Sequence, residues 1–157
     1  MQLAQLNIAR LLAPVDSPQI AGFVAQLDEI NALADADPGL VWRHGGDALE
    51  GDTVVGDDPL MIFNLSVWRN TDSLFEFVYR STHTRPMASR RDWFERPTGP
   101  HMVLWWVADG HRPDIAEALE RLALLSREGA GPAAFDFRQR FTPDGAAESV
   151  RRVAVSG

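Results

Sequence analysis

Residues 64–94 read NLSVWRNTDSLFEFVYRSTHTRPMASRRDWF, and the passage from strand to helix within them decides the fold. The strand starts slightly upstream. Leu60–Trp68 (LMIFNLSVW) is apolar on both alternating faces, which predicts a central strand covered on each side. Thr71 and Asp72 follow as capping residues, and Leu74, Phe75, Phe77 and Val78 then recur at helical spacing. Further on come a lone His83, Pro86, the pair Arg90-Arg91 and the aromatic pair Trp93-Phe94. Pro86 limits continuation of the helix, so residues 82–96 read as a loop or a second helix.

Upstream, QLAQLNIARL (residues 2–11) alternates as a strand, with Leu6 and Ile8 on one face and Leu3, Gln5, Asn7 and Ala9 on the other. Ser17 is placed to cap a helix that has Pro18 at its first position. Ile20, Phe23, Val24, Leu27, Ile30, Asn31 and Ala34 give that helix its spacing, and Pro38-Gly39 ends it. Leu40–His44 reads as a short strand, and Gly45–Asp58 as an acidic, Gly-rich loop.

Downstream, MVLWWV (residues 102–107) is a second buried strand. Pro113–Arg127 is a third helix with a stripe of Ile115, Ala118, Leu119, Leu122 and Leu125, closed by Gly129. Ala133–Phe137 reads as an accessory strand. Residues 1–141 are expected to form one domain and 142–157 a flexible tail.

The order is β-α-β-β-α-β-α-(β), and its first six elements match the ferredoxin-like split motif. The expected class is α+β: an antiparallel sheet with helices on one face and an extra C-terminal helix. The bare face needs cover, and a second copy is the simplest, so a homodimer is expected.

Composition narrows the function classes. The chain has 157 residues, 45% hydrophobic and 24% charged, as in an ordinary globular domain. A net charge of -7 argues against nucleic acid as a partner. No apolar run is long enough to span a membrane, and MQLAQLNIARLL lacks the pattern of a signal peptide, so a cytoplasmic location is expected. There is no Cys, and all 15 basic residues are Arg. Thiolate nucleophiles, Cys-ligated metals and Schiff-base lysines are therefore excluded.

The segment SVWRNTDSLFEFVYRSTH (residues 66–83) resembles the strand–helix segment of dimeric α+β barrel proteins, the group of antibiotic-biosynthesis and haem-degrading monooxygenases. More closely, the chain resembles the DUF3291 family through LAQLNIARL, SVW…FVYRSTH, RRDWFE, LWWVADGHRP and PAAFDFRQRF, up to Phe141. The superfamily resemblance implies a pocket between sheet and helices. It implies that Asn7, on the first strand, orients a substrate or bound oxygen. It also brings haem forward as an alternative. In the haem-degrading relatives the axial His aligns near Met87-Ala88, where this chain has none.

The residues themselves leave alternatives open. Asn64 and Ser66 share a strand face with Ile62 and Trp68, and Gln5 and Asn7 share one on the first strand. Buried amides need partners, so these side chains either pair across strands or line a wet cavity. His83 is a candidate base or haem ligand, or else caps the helix C-terminus. Tyr79, the only Tyr, stands four residues before it, on the same face of a helix that reaches that far. Trp105 and Trp106 must point to opposite faces of their strand, one toward the pocket side. Core packing and contact with a flat ligand both explain the Trp residues. The four His have no metal-ligand spacing, and no metal is expected.

The superfamily resemblance implies a small enzyme binding a hydrophobic, aromatic or polyketide-like molecule, as in secondary metabolism. Its chemistry would be cofactor-independent oxygenation, or proton transfer leading to isomerisation or cyclisation. His83, Asn7 and Tyr79 are the catalytic candidates; Asn64, Ser66, Trp68, Trp105 and Trp106 are the binding candidates. No cofactor is predicted, with haem binding as one alternative reading and a non-catalytic binding or interaction module as another.

Overall fold

The computed structural model describes residues 1–44, 58–83 and 90–148, apart from the side chains of Thr82, His83 and Arg90. The expected loop Gly45–Asp58 lies almost wholly outside the described residues, as does Pro86. Four strands form one antiparallel sheet: β1 (Gln2–Arg10), β2 (Leu40–Arg43), β3 (Met61–Trp68) and β4 (Met102–Val107). Their order across the sheet is β2-β3-β1-β4, so β3 and β1 are the inner strands. Helices α1 (Ala21–Ala36), α2 (Thr71–His83), α3 (Arg90–Trp93) and α4 (Ile115–Glu128) complete the fold.

Strand parity sorts the core into two layers. Ala4 and Leu6 of β1 join Phe63, Leu65 and Val67 of β3 and Val103, Trp105 and Val107 of β4. This face packs on Ala118, Leu122 and Leu125 of α4. The other face carries Leu3, Trp68 and Leu104, which pack with Ala34 of α1 and Leu74, Phe77 and Val78 of α2.

Helices therefore lie on both faces, which corrects the expectation of helices on one. The physical reason is the two-sided apolar pattern of β3 and β4. The face for which cover was sought in a second copy is packed within the chain by the α4 stripe.

Local signals also resolve differently in places. A 3-10 turn, Pro18–Ile20, precedes α1, and Ser17 Oγ donates back to Pro14 O instead of capping the helix. At α2 the cap is Asn70, not Thr71: its Oδ1 accepts from Ser73 N at 2.8 Å. Asp114 caps α4 by accepting from Glu117 N. Gly129 ends α4 at φ 76° and ψ -178°, backbone that side chains other than glycine's rarely adopt.

The accessory strand reduces to bridges. Phe135 exchanges backbone hydrogen bonds with Leu104 in both directions, at 2.7 and 2.9 Å, and so occupies the outer edge of β4. Beyond it, Thr142 N donates to Ala146 O and Glu148 N to Arg140 O, so hydrogen-bonded chain continues past Phe141. Residues 149–157 lie outside the described residues.

Candidate functional site

The face of the sheet under α1 and α2 is apolar at both ends and polar in the middle. At one end Trp68 stacks on Phe77 with ring centroids 4.9 Å apart, beside Leu3, Leu40 and Leu74. Toward the other end Phe23 of α1 meets Phe94 edge-on at 4.8 Å and Trp93 at 5.8 Å, and Phe94 bridges to Leu11 beyond β1. Between them Asn7 and Asn64 face each other in register, with Gln5 opposite Ser66 one step along. Met102 of β4 flanks Asn7.

These four polar residues divide by depth. Gln5 and Ser66 are buried, at 8% and 4% exposure. Asn7 and Asn64 are exposed although they sit on the two inner strands. Gln5 Nε2 donates to Asn64 Oδ1 at 2.6 Å and to Ser66 Oγ at 2.7 Å. Ser66 Oγ also accepts the indole N–H of Trp68 at 2.8 Å. One connected chain thus runs Trp68–Ser66–Gln5–Asn64. Asn7 is outside it and has no side-chain hydrogen bond among the described residues.

A charged residue on this face, Arg43 of β2, stands opposite Ser66. Its Nε and Nη2 donate to Asp35 of α1 at 2.6 and 2.9 Å. That contact holds the Asp35 carboxyl below the usual carboxylate range. Among the described residues the polar floor is thus built of neutral amides and a hydroxyl, with its neighbouring charge paired.

The structure gathers some of the residues read from the sequence and separates others. Asn7, Asn64, Ser66 and Trp68 share the face, and Trp106 lies on it further along β4, its Nε1 donating to Phe141 O at 2.7 Å. Trp105 points the other way, as parity requires. It is fully buried, and its Nε1 donates to Glu117 Oε2 of α4 at 2.9 Å, so it cannot share a cavity with Asn64. Tyr79 is 58% exposed and lines a shallow surface depression with Phe75, Glu76 and Arg80 that none of the sheet amides reaches. His83 is the last residue of α2, and its side chain lies outside the described residues.

Gln5 is the functional candidate that sequence reasoning passed over. The parity of β1 places it beside Asn7, but its bond to Asn64 crosses diagonally between strands, and alternation alone does not show such a contact. No group of three or more metal-ligating side chains occurs among the described residues. No helix among them is long and apolar enough to cross a membrane.

Residues 2–152 match the family model for a domain of unknown function, DUF3291. No curated protein matches the chain. A solved structure described as "Structural Genomics, protein YJCS" aligns with a TM-score of 0.44 at 8% identity, over 69% of this chain and 100% of that one.

Proposed function

The chain belongs to the DUF3291 family, and from that premise we propose that it binds a hydrophobic, oxygen-bearing small molecule over the sheet face floored by Asn7 and Asn64. One observation carries the reading: two amides stay exposed, side by side, on the inner strands of a sheet, next to the buried Gln5 and Ser66. Inner-strand positions under helices are ordinarily apolar and closed. Polar groups converging among apolar walls are the usual form of a small-molecule site.

The architecture we propose is ferredoxin-like, with α4 covering the face that this motif leaves bare. The sheet order β2-β3-β1-β4 supports it, with α1 linking β1 to β2 and α2 lying between β3 and β4. In that setting Asn7 polarises a substrate oxygen and His83, at the end of α2, is the candidate base for proton transfer or cofactor-independent oxygenation. Tyr79 and Trp105 have no part in this reading, given where they lie.

Binding without chemistry is the second reading. It is favoured by the closed bonding of Ser66, Gln5 and Asn64, which resembles a scaffold more than a reacting centre.

Native mass spectrometry of the purified protein tests the proposal, reporting any co-purified small molecule and the number of copies together. A bound mass that disappears in the double variant Asn7→Ala/Asn64→Ala is the expected result. A ligand retained by that variant would place binding elsewhere. With a substrate in hand, unchanged turnover by His83→Ala would remove the base and leave the binding reading.

A further inference from the structure

We infer that Gln5 fixes the hydrogen-bonding sense of the Asn64 amide, and so selects neutral ligands that present a carbonyl oxygen over ligands that present an N–H. The inference rests on the reading of the Asn7–Asn64 floor as a binding site.

Gln5 is too deeply buried to be the main contact itself. Its influence passes through Asn64. Gln5 Nε2 donates to Asn64 Oδ1 at 2.6 Å, which holds the amide's oxygen toward the buried Gln5 and turns Nδ2, with two N–H donors, to the exposed side. Gln5 is itself held. Its second bond goes to Ser66 Oγ at 2.7 Å, and that oxygen also receives the Trp68 indole at 2.8 Å. An indole N–H can only donate, so one of the two acceptor positions of Ser66 Oγ is always taken by Trp68. Trp68 is in turn immobilised by burial and by its stack on Phe77.

Asn7 completes the arrangement in a different way. With no side-chain bond among the described residues, its amide is free to turn and present either donor or acceptor. The floor thus pairs one fixed donor with one adaptable amide. Arg43 is committed to Asp35, so among the described residues the charge nearest this floor is already paired. The chemical class that fits is a neutral molecule presenting a carbonyl oxygen, such as a ketone, quinone or lactone.

The test uses ¹⁵N-labelled full chain and two probes of similar size, acetophenone as a pure acceptor and indole as a pure donor. The expected wild-type result is that acetophenone shifts the Asn64 side-chain NH₂ signals and binds roughly three- to ten-fold tighter than indole, the worth of one net hydrogen bond. In Gln5→Glu the new carboxylate accepts from Asn64 Nδ2, turns Oδ1 outward and reverses the preference. In Gln5→Leu the amide is released and the preference collapses toward unity. Backbone amide spectra show which variants keep the fold. A folded variant of either kind that retains the wild-type preference overturns the inference. Equal binding of both probes at Asn7 and Asn64 keeps the site and overturns the role of Gln5. Failure of both probes to perturb either Asn removes the binding site itself, and the inference with it.

Discussion

Glu117 holds Trp105 with one carboxylate oxygen and His111 with the other: Oε2 accepts the fully buried indole N–H at 2.9 Å, and Oε1 lies 2.7 Å from His111 Nε2. A mostly buried acid on α4 thereby satisfies a donor buried between β4 and α4. Glu117→Ala strands that donor and should cost about 1–3 kcal/mol. Glu117→Gln retains an acceptor and should lose clearly less. Urea unfolding midpoints compare the two; equal losses would show that the indole bond contributes nothing.

Packing predicts a sharper contrast. Phe135 is completely buried where the chain closes the outer edge of β4, and Phe135→Ala should cost about 3–5 kcal/mol. Leu33, on the exposed side of α1, should tolerate Ala within about 0.5 kcal/mol. Thermal melts of the two variants check this, and similar shifts would refute the layer assignment.

The end of α4 isolates a backbone effect. A Cβ on Gly129 would meet nothing within 4 Å, so only its φ of 76° opposes substitution. Gly129→Ala should therefore destabilise by about 1–3 kcal/mol without any steric clash. Gly99 is equally open but lacks a positive φ, and Gly99→Ala should be neutral or slightly stabilising. Chemical denaturation of the pair separates strain from space.

Acid should weaken the fold through two carboxylates. The Asp35 carboxyl is held below its ordinary range first by its hydrogen bond from Arg43. Asp58 is held low first by the Leu60 N–H and then by Arg10. Each binds its proton more readily unfolded than folded, so its contribution is complete above about pH 4 and is lost as the pH falls through the lowered folded value. The double variant Asp35→Asn/Asp58→Asn should show a smaller drop in melting temperature from pH 7 to pH 3 than the parent. An identical drop would assign the acid loss elsewhere.

Much of this fold is legible in the residue pattern because period-2 and period-3.6 repeats report burial directly. The two-faced strand at Met61–Trp68, the sides taken by Leu3 and Leu6, and the α4 stripe all follow from that. The face α4 would choose does not, because a stripe states that a helix is covered and not by which side of a sheet. Asn70 and Thr71 are both good caps one residue apart, and only the backbone decides between them. Tyr79 shares the helical spacing of Phe75 but lies on the outward side of α2, since Leu74, Phe77 and Val78 already fill the inward one. The amides were visible as a pair of faces, while their diagonal bond depends on side-chain reach across strands.

The inner place of β1 has a consequence for the order in which the molecule can assemble. β1 precedes both of its neighbours in the chain, Met61–Trp68 and Met102–Val107, and pairs with each of them. A nascent chain must hold β1 without a complete sheet until the last of these has emerged, and closing such distant contacts slows folding. The polar floor inherits the same schedule. Gln5 and Asn7 face Ser66 and Asn64 only once β1 and β3 have paired, so the floor that would meet a ligand does not exist before that step.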